Sequence, residues 1–309
     1  NKINIRYNFD TKALGLQKIY DNKFYIRKFI ENKSPTRFSN FFNDVGYDII
    51  INCKVEALDE MKSYTSSFFK IDNKIYKVKS KKLIICAGGI ESTLLLLNSL
   101  KQKKLKSIRN KNIIGRYFMD HPKSYVGELK YPKIELIKNF KLKSGLNTNV
   151  YHGISLYIKN QRLLNTYIRF EVKRVFFKIK KKIMIKIFLE MVPKYNNRVY
   201  IEKKKPKINL TVDNKEIVAS KNLLKKIINT FSHKPKFEKL TFKKKNLVDA
   251  SHHIGGMAYP KVVNKNLKIQ GLKNIYCCSS SVFPTSGSAN PTLTICALAE
   301  RLSYYFKNK

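Results

Sequence analysis

Apolar and polar positions follow short, regular patterns in the first third of the chain. Residues 47–58 ("YDIIINCKVEAL") contain a β-branched run, which predicts a buried strand. Residues 66–80 ("SSFFKIDNKIYKVKS") predict a hairpin that turns at Asp72 and Asn73. Residues 81–100 ("KKLIICAGGIESTLLLLNSL") predict a short apolar strand, a tight glycine turn and a leucine-rich helix. This order of elements indicates an α/β fold.

The middle region, from Tyr125 to Asp249, is rich in lysine, tyrosine and phenylalanine. It holds two predicted strands, "NRVYIE" and "KINLTV", and a predicted helix, "SKNLLKKIINTF". From Phe170 to Val192, apolar residues alternate with lysine and arginine. This basic segment is either a lysine-decorated helix packed on its own domain or an amphipathic segment that lies on an anionic membrane surface.

Glycine, serine and histidine become frequent again from Ala250 onward. The two ends of the chain therefore resemble each other in character more than either resembles the middle. We predict that they form one domain and that the middle region is a second domain inserted into it.

The chain of 309 residues is 43% hydrophobic and carries a formal charge of +42. A charge of this size first suggests a nucleic acid partner. However, the lysines are dispersed, and the sequence has neither zinc-finger spacing nor an aromatic-basic RNA motif. We attribute the charge to composition and expect no nucleic acid partner.

The five cysteines form no Cys-x-x-Cys pair, and four of them lie in apolar stretches that predict buried strand or helix. This favours reduced core thiols and a cytoplasmic location. No signal-peptide pattern opens the sequence, which begins with Asn, and we expect a piece of something longer. No apolar run reaches the roughly 18 residues that a membrane-spanning helix needs. The cysteines are Cys53, Cys86, Cys277, Cys278 and Cys296.

Two adjacent histidines precede a Gly-Gly in "SHHIGGMAYP", Ser251 to Pro260. The ordinary pKa of histidine suits proton transfer near neutral pH. Metal binding is the competing function, but no third ligand with sensible spacing accompanies His252 and His253, so we expect no metal. The structural alternative is that both histidines lie in a core, where their ring nitrogens are hydrogen-bonded and have no catalytic role.

The final predicted helix begins at Asn290 and Pro291, with Asn290 as its cap and Pro291 in its first turn. Such a helix start carries free N–H donors and partial positive charge. It therefore suits an anionic or carbonyl-like group. The glycine pair Gly88 and Gly89 would let a ligand approach the backbone, although most such pairs are simply tight turns.

Five blocks in this order resemble the glucose-methanol-choline (GMC) oxidoreductases, a family of FAD-dependent enzymes. They are "KKLIICAGGIESTLLLLNS", "NIIGRYFMDHP", "MVPKYNNRVYIE", "SHHIGGM" and "GLKNIYCCSSSVFPTSGSANPTLTICALAERL". The resemblance implies an enzyme that oxidises a CH–OH group by hydride transfer to flavin while a histidine accepts the hydroxyl proton. It implies His252 as that base, with His253 as the near alternative, and Asn290 as the residue that hydrogen-bonds substrate oxygen or flavin.

The resemblance also implies FAD as cofactor and a set of residues that contact it. These residues occupy the strand before the hairpin, the glycine turn and its helix, the Asp-His segment, the serine cluster and the start of the last helix. They are Val55, Ala87, Gly88, Ser92, His121, Ser280, Ser281, Pro291 and Thr292.

One family feature is missing, because G-x-G-x-x-G occurs nowhere in the chain. We therefore expect an α/β fold with a partial, doubly wound FAD-binding domain in residues 1–124 and 250–309. An α+β substrate domain, with an antiparallel sheet and helices, is expected in residues 125–249. A separate upstream half would carry the missing loop.

The expected substrate is a small-molecule alcohol or sugar, and the electron acceptor stays open. Two alternatives also stay open: an inactive, truncated remnant of such an enzyme, and a basic protein that binds membrane or nucleic acid. In the enzyme interpretation, the location is cytoplasmic, with peripheral membrane contact as an open addition.

Overall fold

The computed structural model describes residues 24–32, 48–130, 148–156, 164, 166–174, 181–229, 236–238 and 244–308. It contains thirteen strands and three α-helices in these ranges. Part of the basic segment, residues 175–180, lies outside them. No helix in this part of the chain is long and apolar enough to cross a membrane.

The predicted hairpin is confirmed and forms part of a three-stranded antiparallel sheet. Its strands are β2 (Lys54–Glu60), β3 (Thr65–Ile71) and β4 (Lys74–Ser80). Asp72 and Asn73 connect β3 to β4 with φ values of 45° and 66°. Aspartate and asparagine tolerate this left-handed conformation, which a two-residue hairpin turn requires.

The two ends of the chain meet in a parallel pair of strands, β5 (Leu83–Ile85) and β13 (Ile275–Cys277). Helix α1 (Gly88–Lys101) follows β5 after a short turn, as the sequence predicts. Pairing between strands so far apart in sequence agrees with a domain built from both ends.

The described part of the middle region forms antiparallel strands with one helix. Its six-stranded sheet has the order β1-β7-β8-β9-β6-β12, and β10 pairs with β11 in a separate hairpin. Strand β1, from the first segment, pairs with β7 in this sheet. The strands are β1 (Phe24–Asn32), β6 (Lys123–Lys130), β7 (Thr148–Leu156), β8 (Thr166–Arg174), β9 (Lys181–Leu189), β10 (Arg198–Glu202), β11 (Lys205–Asn209) and β12 (Lys236–Glu238).

The prediction of a helix for the basic segment is wrong. Its described parts are the end of β8 and the whole of β9. Ile185, Ile187 and Leu189 of β9 are buried and recur at every second residue, which is the period of a strand. The segment is therefore part of the antiparallel sheet.

Two further helices complete the fold, α2 (Asn214–Asn229) and α3 (Thr292–Lys307). The predicted cap of α3 is wrong by one position, since Pro291 rather than Asn290 is the capping residue. Proline has no side-chain acceptor, and no side chain caps the first turn of α3. The N–H groups of that turn are therefore not capped by any side chain.

Among the described residues, a large core cluster lies where the parallel pair packs against α1 and α3. Its central members include Ile85, Leu96, Ile275 and Tyr276, all nearly inaccessible to solvent. The prediction that four cysteines are buried is wrong for two of them. Cys277 and Cys278 are buried, whereas the other two are exposed within the described part of the chain. The exposed pair is Cys86 and Cys296.

Leu96→Ala should destabilise the chain by about 2–5 kcal/mol, because it opens a cavity in the core. Leu96 is 0% exposed, whereas Ile75 on β4 is 72% exposed. Ile75→Ala is the matched control and should change the free energy of unfolding by less than about 0.5 kcal/mol. Urea unfolding measures both. Equal losses would contradict this placement of the core.

Candidate active site

A short backbone bridge brings the two histidine-containing segments of the sequence together. The N–H of Met119 donates to the carbonyl of Ile254 at 2.7 Å, and the N–H of Ile254 donates back at 2.9 Å. On one side of this antiparallel bridge, Asp120 and His121 directly follow Met119 in the chain. As a result, those two residues face the turn that carries His252.

Asp120 is buried and binds this turn through its carboxyl group. Its Oδ2 accepts the N–H of Ala250 at 2.8 Å, and its Oδ1 accepts the N–H of His252 at 2.9 Å. The side chain also hydrogen-bonds to Asp249. Burial is the main reason that the pKa of Asp120 is raised, and the bond to Asp249 raises it further.

The neighbouring Asp249 responds in the opposite direction. Burial works to raise its pKa, but hydrogen bonds from Asp120, the Ser251 N–H and His253 outweigh this effect and lower the pKa. The two neighbouring carboxyl groups therefore differ in acidity, and Asp249 is the more acidic of the pair.

The ring of His252 lies among aromatic neighbours. It packs edge-on to the ring of His121, with 5.4 Å between centroids, and stacks on Phe188 at 6.4 Å. Phe188 belongs to β9 and is buried with Tyr167 and Ala250. The half-buried imidazole of His252 is thus held between the sheet of the middle region and the segment that carries His121.

His121 is completely buried, and the backbone of Leu189, Gly287 and Ala289 lies close enough to its ring to act on its pKa. Burial, followed by the proximity of His252, lowers its pKa to about 4. Its imidazole is consequently neutral at neutral pH. A neutral neighbour does not repel a proton that arrives on His252.

His253 has a different environment from His252. Its ring stacks on Phe118 at 5.8 Å, and its Nε2 lies 3.3 Å from Asp249 Oδ2. Its carbonyl accepts the hydroxyl of Ser280 at 2.6 Å. A Cβ atom on Gly89 would lie 2.3 Å from that carbonyl oxygen, so only glycine permits the start of α1 to pack here.

Hydroxyl groups of the serine cluster are engaged within the protein. Ser281 is buried, and its Oγ lies 2.6 Å from Ser279 Oγ and 3.3 Å from Cys277 Sγ. The Ser280 hydroxyl donates to His253. Burial raises the pKa of Cys277 to about 11, so this thiol stays protonated. The two predicted flavin contacts, Ser280 and Ser281, therefore brace the histidine turn and the strand before it.

A cavity of about 800 Å³ lies between β2, β5 and α1. Val55 and Ala87, both predicted to contact the cofactor, line it together. Next to Ala87, Gly88 has φ of +75°, and a Cβ there would meet no atom within 4 Å, so a ligand can approach its backbone. The cavity is in the usual size range for a cofactor or drug-sized ligand.

Other predicted contacts are dispersed. Ser92 on α1 is buried, and its hydroxyl has no partner within the described part of the chain. Asn290 is exposed, while Pro291 and Thr292 begin α3 with uncapped donors. No cluster of three or more potential metal ligands occurs in the ranges that the structure describes.

The sequence reasoning missed Asp120, Asp249 and Phe188. Asp120 stands beside His121 in "MDHP", and Asp249 lies four residues before His253, but neither spacing reveals a bond to the backbone. Phe188 was hidden in the segment that was misread as a helix. The sequence feature that comes closest to indicating these three residues is the adjacency of Asp120 and His121.

Comparisons with known proteins relate part of this chain to one family. Residues 193–299 match the family model described as GMC oxidoreductase, in its C-terminal part. This segment is similar to the C-terminal part of that family. It contains both histidines of the turn, the serine cluster and the start of α3. The resemblance inferred from the sequence is confirmed for this part of the chain.

Solved structures with the same fold include pyridoxine 4-oxidase from Mesorbium loti. The TM-score is 0.56 at 14% sequence identity, and the alignment covers 83% of this chain. It covers 57% of the oxidase chain, so this chain spans just over half of that protein. The mixed sheet-and-helix fold of this chain is therefore similar to that of the oxidase. No curated protein matches the sequence.

His121→Gln should make the free energy of unfolding less sensitive to acid. Unfolded His121 takes up a proton near pH 6.5, but the folded residue does so only near pH 4, so this group removes stability as the pH falls between those values. The wild-type chain should lose up to about 3 kcal/mol more than the variant over this range. Urea unfolding at several pH values measures the difference.

His253→Gln is the matched control, because it removes a partly exposed imidazole and leaves His121 in place. The control should keep the loss of stability between pH 6.5 and about pH 4 that His121 causes. A His121→Gln variant with that same loss would show that His121 is not the buried neutral histidine.

Proposed function

We propose that the chain is part of an FAD-dependent oxidoreductase that oxidises a CH–OH group, with His252 as the base that accepts the hydroxyl proton. The observation that carries the proposal is the half-buried His252 ring beside neutral His121, within the segment that matches the GMC oxidoreductase family. Histidine is the side chain best suited to this proton transfer near neutral pH.

Three contacts favour His252 over His253 as the base. The His252 ring stacks on Phe188 and meets His121, while its backbone N–H is fixed by Asp120. His253 instead binds Asp249 through its ring and Ser280 through its carbonyl. These bonds hold His253 in place where its carbonyl packs against the start of α1.

The residues present fit part of an FAD site. When bound, FAD supplies the group that accepts the hydride from the alcohol carbon. Val55, Ala87 and Gly88 would hold it along the cavity, where the backbone is open. Pro291 and Thr292 would offer it the uncapped start of α3, whose partial positive charge favours electron-rich oxygens.

Ser92 supports the fit because buried polar atoms normally have partners. Its hydroxyl group lacks one within the described residues. A bound ligand would satisfy it. Asn290, exposed before α3, would hydrogen-bond substrate oxygen or the flavin.

The substrate is proposed to be a small-molecule alcohol or sugar. The oxidase with the similar fold is named for pyridoxine, which agrees with an oxidation but does not assign the substrate of this chain. An upstream half that carries G-x-G-x-x-G is proposed as a partner, since this chain spans 57% of that oxidase. A cytoplasmic location and peripheral membrane contact remain predictions.

His252→Ala should abolish turnover of alcohols by the chain supplied with FAD, because no group would take the hydroxyl proton. His253→Ala is the matched control and should retain most of the wild-type rate. Loss of general base catalysis typically costs about 10²–10⁴-fold in rate. Anaerobic bleaching of the flavin absorption on addition of alcohols measures it.

A fully active His252→Ala variant, or an inactive His253→Ala variant that still binds flavin, would transfer the role to His253. Inactivity of the wild-type chain with bound FAD would favour the inactive remnant.

Asn290→Ala should slow turnover while His252 remains in place. A lost hydrogen bond that forms to substrate oxygen in the transition state costs roughly 10–100-fold in rate. Steady-state kinetics should show the fall in kcat/KM. An unchanged kcat/KM would remove Asn290 from the site.

A further inference from the structure

The turn that carries His252 has an unusual anchor. Most turns are held by backbone-to-backbone hydrogen bonds, but here two N–H groups of the turn donate to one buried carboxyl group. Ala250 donates to Asp120 Oδ2 at 2.8 Å and His252 donates to Asp120 Oδ1 at 2.9 Å. Asp120 is 1% exposed, so water does not compete for either bond.

We propose that Asp120 is a positioning residue, whose carboxyl group sets the place of the His252 imidazole by holding the backbone on both sides of Ser251. Ser251 has φ of +61°, a conformation that few residues other than glycine adopt readily. The turn therefore needs external support, and Asp120 bonds to the residue before and the residue after Ser251.

The anchor is rigid at its other end as well. Asp120 follows Met119, whose backbone pairs with Ile254 in both directions. The carboxyl group and the backbone bridge thus fix the turn at both of its ends, at Ala250 and at Ile254. The backbone that carries the His252 ring is therefore held in place between these two points without any ligand.

The carboxyl group of Asp120 is close to one titratable side chain, Asp249, and accepts backbone hydrogen bonds from His121 and His252. Asp249 bonds to the Asp120 side chain, to the Ser251 N–H at 2.5 Å and to His253 Nε2. Asp120 thereby links the backbone of His252 to an acidic pair that reaches the surface at Asp249, whose side chain is 60% exposed.

The test is backbone amide hydrogen exchange in the full chain, with alanine and histidine labelled for NMR. Asp120→Asn keeps the volume but offers one acceptor oxygen to two N–H groups. Exchange at Ala250 or His252 should accelerate about 10- to 100-fold, the usual effect of losing a buried hydrogen bond. The ring resonances of His252 should shift at the same time.

Glu60→Gln is the matched control. The Glu60 carboxylate also accepts two backbone N–H groups, from Lys273 and Asn274, but it lies away from the histidine turn. This variant should leave exchange at Ala250 and His252 unchanged. Equal exchange at these two amides in Asp120→Asn and wild type would overturn the proposal.

Asp249→Asn is a second test, which decides the matter even if Asp120→Asn does not fold. It removes the partner carboxylate but leaves both backbone bonds to Asp120. Protection at Ala250 and His252 should therefore persist. Loss of protection in this variant would assign the positioning to Asp249 and contradict the proposal.

The proposal rests on the proposed role of His252 as base, and a kinetic measurement separates the two. With FAD supplied, Asp120→Asn should lower kcat by about 10- to 100-fold and leave KM within about twofold, because only the reacting geometry changes. Faster exchange without any wild-type turnover would uphold the positioning role and refute the function. Unchanged kcat in an active enzyme would refute the positioning role alone.

Discussion

The site depends on the antiparallel bridge between Met119 and Ile254, two residues far apart in the sequence. Backbone hydrogen bonds are strong when water is excluded, and both of these residues are buried. The bridge places Asp120 and His121 opposite the histidine turn. Without it, neither the carboxyl anchor nor the contact between the two imidazoles would exist.

A second constraint is the close packing of α1 against the histidine turn. The carbonyl of His253 comes so near to Gly89 that a side chain there would collide with it. The parallel pairing of β5 with β13 sets this approach, because it places the start of α1 and the serine cluster side by side. The chemistry of the site therefore depends on segments from both ends of the chain and on β9 from the middle.

Local patterns in the sequence were sufficient for elements that are held by local contacts. The hairpin at Asp72 and Asn73 and the strand–turn–helix at β5 and α1 follow from turn residues and apolar runs. The basic segment was misread because apolar and basic residues alternate in both a strand and an amphipathic helix, and the choice was made by neighbouring strands. Pairing of β1 with β7 is a long-range contact of the same kind.

Residue types in the site could be predicted, but their contacts could not. His252, His253 and His121 were identified from motifs, and the structure brings the rings of His121 and His252 together. The carboxyl of Asp120 binds backbone atoms, which carry no sequence signal. For the same reason, the sequence did not show that Ser280 and Ser281 use their hydroxyl groups within the protein.

Flavin binding is tested by a titration of the full chain with FAD, followed by visible absorption. We expect a saturable change in the flavin spectrum, because the cavity at Val55 and Ala87 and the donors at the start of α3 are present. A spectrum that remains that of free FAD at every concentration would contradict the claim that this chain holds a flavin.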